Sequence, residues 1–572
     1  MEKWVVAAKK ADFKAIAAEF GIDPLIARLI RNRDVTGSEN IRKYLYGKRE
    51  DMPSPWMMKG MEEACTFLLD KIRDKKKIRI IGDYDIDGVC AACILMEGLQ
   101  RLGADVDICI PDRIADGYGI HDHLIDRAME EGSDTILTCD NGIAAFEQIR
   151  RAKDMGMSVV VTDHHEIPFE MQGTDKRWIL PPADVILDPK QPDETYPDRD
   201  ICGAVVSWKL ILALYEKAGI PAEEGWGFLD LAAFATVGDV MDLTGENRII
   251  VREGLKMIPF TEREGLKQLI RASGLEDKPV TAYHIGFVLG PCINAGGRLD
   301  TAMRALDLLM EKDPQRAAEL ASDLRALNES RKELTEKGKE QALMEVVQEG
   351  MLRDTVLVVY LPDVHESLAG IIAGRLREVY HRPSFVLTKG ENCVKGSGRS
   401  IEAYSMYEEL VRCQDLLIQF GGHPAAAGLS MAEENIDALR RRLNENSDLT
   451  ADDLTEKIQI DAAMPIAYVS KRLVGQMELL EPFGKGNLRP LFAQKDLRAV
   501  DCRVLGRNRN VLRMRLEDPN GASLAAVYFG DAEKLYEELH HTNRIAVTYY
   551  PEINRYQGRE SLQLVIQNYK VY

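Results

Sequence analysis

Ile78-Arg79-Ile80-Ile81-Gly82-Asp83-Tyr84-Asp85-Ile86-Asp87-Gly88 begins as an apolar strand and passes into three aspartates at alternate positions. After Gly88, Val89 to Leu102 reads as a helix. A strand that turns tightly into a helix is the repeating unit of a parallel α/β sheet. Alternate residues of an extended segment share a face. The three carboxylates therefore converge and repel one another at neutral pH, and a bound dication is the usual remedy.

The pattern recurs along the chain. Thr135-Ile136-Leu137-Thr138-Cys139 runs into Asp140-Asn141-Gly142, and Val159-Val160-Val161 leads to Asp163-His164-His165. Ala232 to Val237, read as a further strand, ends at Gly238-Asp239, with Asp242 just beyond. A lone Asp after a strand is usually a helix cap or turn former, and Asp242 is assigned to that class. Four apolar segments that each deliver Asp or His at a C-terminal tip say more, because that edge of an open α/β sheet is where ligands bind. Carboxylates mixed with imidazoles suit Mn²⁺ over Ca²⁺ and tolerate Mg²⁺. There are enough ligands for two ions if one Asp bridges, and two ions about 3.5–4 Å apart clamp a phosphate.

At 572 residues the chain has room for several domains. Strand and helix alternate over residues 56–265, giving a parallel doubly wound sheet, after a mixed N-terminal segment, 1–55. A connecting region, 266–350, contains a long charged helix from about Asp313, and a smaller α/β unit occupies 351–450. Residues 457–572 are mostly strands and read as an OB-type barrel, a fold that presents grooves to single strands. A net charge of −18 opposes nucleic-acid binding globally, but phosphate needs only local cation. Arg503, Arg507, Arg509, Arg513 and Arg515 supply a basic stripe in the barrel. The apolar run at the N-terminus is too short for a signal peptide, and no stretch is long enough to cross a bilayer. The ten scattered cysteines suit reduced thiols in a cytosol, and Cys90 and Cys93 read as packing. A cytoplasmic protein is expected.

In order and spacing these motifs resemble the DHH phosphoesterases, specifically the RecJ-type single-strand-specific exonucleases. The likeness extends to Arg113 with Gly117-Tyr118-Gly119, Asn294-Ala295-Gly296-Gly297-Arg298, His365, Arg375, Gly396-Ser397-Gly398-Arg399, Gly421-Gly422-His423 and Glu481 to Asn487. The resemblance implies Asp85, Asp87, Asp140, His165 and Asp239 as metal ligands, with Asp83 and His164 as ligands or their supports. Asp163 would orient a His, and His164 could instead polarise the leaving group. Arg298, in a Gly-rich turn, would neutralise phosphate charge. Arg113, Tyr118, Asn294, Arg375, Ser397, Arg399 and His423 would hold the strand, the two glycine-rich stretches acting as phosphate-binding loops. Ile81 stands where some relatives carry another His.

The activity implied is Mn²⁺- or Mg²⁺-dependent degradation of single-stranded DNA from its 5′ end to 5′-mononucleotides, in recombination and repair. A helicase and a single-strand-binding protein are the implied partners. The alternatives are a DHH phosphodiesterase for short oligonucleotides or cyclic dinucleotides, and a non-catalytic replication scaffold. Residues 457–572 weigh against the first and the full set of acids and histidines against the second.

Overall fold

Ile78, Ile80 and Ile81 are fully buried, so β1 (Ile78–Ile81) is a central strand covered on both faces. With β2 (Val106–Cys109), β3 (Thr135–Cys139), β4 (Ser158–Thr162) and β5 (Val185–Leu187) it forms a sheet of order β2-β1-β3-β4-β5, parallel throughout. Parallel sheets need helices on both faces, which is why these strands are mostly apolar, Arg79 of β1 and Asp107 of β2 being paired with each other. Ile81, Ile136, Val159 and Val161 pack on one side against Leu124, Ile125, Ile149 and Ala152. Helices α1 (Ile86–Arg101) and α2 (Gly203–Ala218) pack against each other on the sheet's other side. Because every strand points the same way, the residues after β1, β3, β4 and β5 all emerge at one edge.

The computed structural model describes residues 2–113, 116–117, 119–172, 175–556 and 558–572. The chain folds into two compact units, one of residues 54–239 with 254–456 and one of 2–53, 240–253 and 457–572.

In the first unit, Ala232 to Gly238 is not a strand. It belongs to helix α3 (Leu229–Gly238), and Asp239 is that helix's C-cap. An element buried on all sides loses its periodic signature, so a short apolar run does not distinguish helix from strand. Ala232, Ala233 and Ala235 favour the helix. Arg298 likewise lies in the last turn of a helix, α4 (Gly290–Leu299), rather than in a turn. The long charged stretch is one 35-residue helix, α5 (Pro314–Gln348), capped by the Asp313 carboxylate, which accepts from the Arg316 amide at 2.8 Å.

A second sheet follows, with strands β6 (Leu357–Tyr360), β7 (Ser384–Lys389), β8 (Val394–Arg399), β9 (Leu417–His423) and β10 (Ala426–Met431) in the order β9-β10-β8-β7-β6. Helix α6 (Glu366–Tyr380) packs against β7 and β8. Both glycine-rich stretches are strand, not loop. A Cβ at Gly396 would lie 2.4 Å from Leu387 Cδ2, and one at Gly398 2.6 Å from Phe385 Cε1. Core packing, not turn formation, therefore requires these glycines. The backbone of β8 is occupied on both sides by β7 and β10.

In the second unit, β11 (Ala462–Ala463), β12 (Phe492–Leu505), β13 (Val511–Glu517), β14 (Ser523–Phe529), β15 (Arg544–Tyr556) and β16 (Arg559–Val571) run in the order β11-β12-β13-β14-β16-β15, and β12 also pairs with β15. That pairing closes the barrel and removes its free edges. Residues from both ends of the chain share its core, including Ile26, Leu29, Ile30 and Leu45 with Phe492, Leu512 and Tyr549. Lys3–Val6 pairs in parallel with Lys457–Ile460. Arg248 is buried here, donating to the carbonyls of Tyr44 at 2.8 Å, Leu480 at 2.9 Å and Leu479 at 3.0 Å, with the Tyr44 ring 4.0 Å away.

Candidate metal centre

The turn after β1 is built by its own aspartates. Asp85 caps α1, its Oδ1 accepting from the amides of Asp87 at 2.8 Å and Gly88 at 3.2 Å. Gly88 has to be glycine, because a Cβ there would lie 2.4 Å from the Asp83 carbonyl oxygen. The Ile86 amide donates to Asn294 Oδ1 at 2.8 Å, which ties α4 to this turn. Asp87 is fully buried and reaches across to α2, accepting from Gly203 N at 2.6 Å and Ala204 N at 2.8 Å. A helix N-terminus stabilises negative charge there.

After β3, Asp140 adopts a left-handed backbone, φ 58°, uncommon outside glycine. Gly203 makes room for it, since a Cβ would sit 2.7 Å from Asp140 Cβ. After β4, Asp163 is saturated by protein. Its Oδ1 accepts from His164 N at 2.8 Å and lies 2.7 Å from His165 Nδ1, and its Oδ2 accepts from Ile143 N at 2.9 Å. A proton held on His165 Nδ1 would leave Nε2 to act as a ligand, the arrangement a carboxylate gives a metal-binding His. His164 Nε2 lies 3.0 Å from Asp140 Oδ1, 3.5 Å from Asp87 Oδ2 and 4.0 Å from Asp239 Oδ2. Asp239 is placed at a helix C-terminus, where a carboxylate is unfavourable unless a cation is near.

Three overlapping groups have ligand atoms within 4.8 Å of one another: Asp83, Asp85 and Asp140; Asp87, His164 and Asp239; Asp140, His164 and His165. Two carboxylates at that spacing repel by about 3 kcal/mol at an effective dielectric near 20. Burial and then Asp85 push Asp83 well above the ordinary carboxylate range, and burial and then Asp87 do the same for Asp140. Burial also lowers His164, whereas for His165 burial, the largest single influence, is outweighed by the Asp163 hydrogen bond together with the charges of Asp163, Asp239 and Asp87, and the imidazole rises to about 9. Asp83 Oδ1 and Asp140 Oδ1 are buried without a hydrogen bond, although the latter lies close to His164. Buried carboxylate oxygens left without a protein hydrogen bond, beside two imidazoles, fit a dication. The donor set suits Mn²⁺ or Mg²⁺, with Asp140 common to two groups.

Sequence reasoning missed Asp188, at the tip of β5. It is fully buried, and its Oδ1 accepts from Lys190 N at 2.7 Å. Its signal is the same as the others, the apolar Val185-Ile186-Leu187 followed by Asp.

The strand-holding candidates divide. Arg298 donates to the Ser367 carbonyl of α6 at 3.1 Å, and burial, then Arg113, lower it to about 10. The Arg113 guanidinium lies 4.7 Å from the Tyr84 ring centre. Tyr118 falls outside the described residues. Across the second sheet, Ser397 is opposite Gly428 and Gly428 opposite Gly421, while Arg399, Ala426 and His423 align in the next row of the same face. Gly421 and Gly428 are exposed, leaving a nearly flat polar floor. Arg375 is not brought in, being exposed and paired with Glu378 at 2.8 Å on its own helix. In the barrel, Arg503 and Arg513 face each other across β12 and β13. Arg509 pairs with Glu533, and Arg507 lies in the turn between those strands.

Three protein-family models match the chain: the DHH family N-terminal domain over residues 77–236, the DHHA1 domain over 353–447 and the RecJ OB domain over 460–568. The chain is 36% identical to the single-stranded-DNA-specific exonuclease RecJ of Bacillus subtilis, covering 97% of this chain and 69% of that protein. It is 32% identical to the one from Haemophilus influenzae, covering 95% of each. The crystal structure of RecJ from Thermus thermophilus in complex with Mn²⁺ matches with a TM-score of 0.83 at 29% identity, over 99% of this chain and 79% of that one. The Mg²⁺ complex from the same source matches with a TM-score of 0.78 at 28% identity, over 99% of this chain and 78% of that one.

Proposed function

Since the chain belongs to the RecJ family of single-stranded-DNA-specific exonucleases, we propose that it degrades single-stranded DNA from the 5′ end to 5′-mononucleotides, using Mn²⁺ or Mg²⁺. One observation carries the reading. The edge of the parallel sheet gathers Asp83, Asp85, Asp87, Asp140, His164, His165 and Asp239 around buried oxygens without hydrogen-bond partners.

Asp85, Asp87, Asp140, His165 and Asp239 would hold two ions, with Asp83 and His164 completing their surroundings. Ions bound there would supply a hydroxide near neutral pH and polarise the phosphate. Asp163 keeps the proton on His165 Nδ1 and so aims the other ring nitrogen. Asn294 holds the Ile86 amide, fixing the turn that presents Asp85 and Asp87. Arg298, poorly solvated and bonded to one carbonyl, neutralises charge on the phosphate in flight. Arg113 guides the strand beside Tyr84. Ser397, Arg399 and His423 grip its backbone, and the glycines between them let it lie close to the sheet. In the barrel, Arg503, Arg507, Arg509 and Arg513 offer a second, sequence-independent contact.

An enzyme restricted to single strands needs duplex opened and held open for it. A helicase and a single-strand-binding protein are therefore part of the proposal, as is work in recombination and repair. No helix among the described residues is long and apolar enough to cross a membrane, and we place the protein in the cytoplasm. The test is a single strand labelled separately at each end, with Mn²⁺, against duplex and RNA. The 5′ label should appear at once as mononucleotide while the 3′-labelled strand shortens stepwise. Intact long strands alongside cleaved dinucleotides would refute the substrate assignment.

A further inference from the structure

Three arginines of the strand-binding region have no carboxylate partner among the described residues. Arg113 lies over the Tyr84 ring, Arg298 donates to a carbonyl of α6, and Arg399 donates to Gly398 O at 2.8 Å. A fourth belongs with them, though no motif points to it. One seam of buried positions on α5 runs Ala317, Ala321, Leu324, Asn328, then Thr335, Gly338, Ala342 and Val346, with Leu320 beside it, in steps of three and four but for one gap of seven. Position 331 falls on that seam, where the period calls for an apolar residue, and it is Arg331, half-buried. A break in the pattern without local compensation is the mark of a functional position.

The seam neighbours say where Arg331 points. Leu324 faces Gly296, and Asn328 Nδ2 donates to Cys292 Sγ at 3.5 Å. Both partners lie on α4, the helix that ends at Arg298. Helical side chains lean toward their own N-terminus. The guanidinium accordingly folds back, its Nε and Nη2 donating to Asn328 Oδ1 at 3.1 and 3.0 Å. It thus lies beside α4 with Nη1 unused by any described residue. Burial lowers Arg298 most, and repulsion from Arg113 and Arg331 adds to it. Like charges gathered in a poorly solvated site are costly, Asp85 offsets only part of that cost, and an anion relieves them.

We propose that Arg331 is a positioning residue that binds the phosphodiester adjoining the one held at Arg298, forming a strand-binding subsite on the long connecting helix. The proposal rests on the single-strand nuclease reading. It makes the enzyme grip at least two successive phosphates beside the metal centre. Lys332, the next residue, is exposed and pairs with Glu329 at 3.0 Å, so it lies outside this subsite.

The test is the salt dependence of binding of a fluorescent oligo-dT to the metal-free full-length protein. In Arg331→Met the slope of log K against log[KCl] should become shallower by about 0.7, the share of one single-strand phosphate. Affinity at about 100 mM KCl should fall about tenfold, while the melting temperature holds or rises because Met completes the apolar seam. Arg331→Lys should restore the slope, and Lys332→Met should leave it unchanged. An unchanged slope in Arg331→Met, or an equal loss in Lys332→Met, overturns the proposal. A wild-type protein that binds single strands with no salt dependence would instead refute the nuclease reading.

Discussion

Replacing Asp188 by Asn should stabilise the metal-free protein, by an amount that grows as pH rises above about 4. Asp188 ends β5 in full burial, with Oδ2 lacking any hydrogen bond. Burial, then the charge of Asp163, raise its carboxyl from 3.8 to about 7. The difference, at about 1.36 kcal/mol per pH unit, amounts to about 4 kcal/mol. The raised value means the folded protein holds the proton more tightly than the unfolded chain. Below pH 3.8 both states are protonated and the penalty is absent; it grows as pH rises and is complete above about 7. Asn has nearly the same shape and cannot ionise. Asp188→Asn should therefore be more stable than wild type by up to about 4 kcal/mol at pH 8, by about 2 kcal/mol near pH 5.5, and not at all near pH 3.5. Urea unfolding in EDTA, followed by tryptophan fluorescence at the three pH values, measures this. A difference independent of pH, or a less stable variant at pH 8, would mean that Asp188 carries no burial penalty. Adding Mn²⁺ should shrink the gain, since the ions' charge offsets the cost of the ionised carboxylate.

Asp140 belongs to two of the three ligand groups, so Asp140→Ala should lower cleavage at least about a thousandfold and abolish tight Mn²⁺ binding; calorimetry showing wild-type affinity would contradict the assignment. Gly203→Ala places a methyl 2.7 Å from Asp140 Cβ and disturbs the amide that holds Asp87. Activity should fall about a hundredfold, since an ångström of misplacement costs about that much, in a protein that still folds by circular dichroism; activity within threefold of wild type would show the contact to be soft. Removing residues 457–572 alone should uncover Ile26, Leu29, Ile30 and Leu45, which share the barrel's core. The truncated chain should bind an apolar dye and aggregate, and a monodisperse monomer in light scattering would show that the N-terminal helices do not depend on the barrel.

Much of the centre was legible in the sequence because a parallel sheet turns order along the chain into position in space. Apolar runs ending in Asp or His must bring those ends to one edge, so Asp83 to Asp87, Asp140 and Asp163 to His165 announce themselves. The long helix was equally plain, since its period persists over 35 residues. Asp239 was found for an incomplete reason, because a helix buried all round carries no period to separate it from a strand. The glycines of β8 suggested phosphate loops, yet they answer to Leu387 and Phe385 across the sheet.

Local periodicity and residue type are enough to say which residues face inward and which chemistry gathers at the sheet's edge. How that chemistry is held emerges from the fold: Asp87 on amides 116 and 117 positions away, Asp163 behind His165, Arg331 turned toward α4, and the two chain ends joined in one barrel core. These depend on where distant helices cross. A crossing is set by the packing of whole surfaces, and no short stretch of chain encodes it.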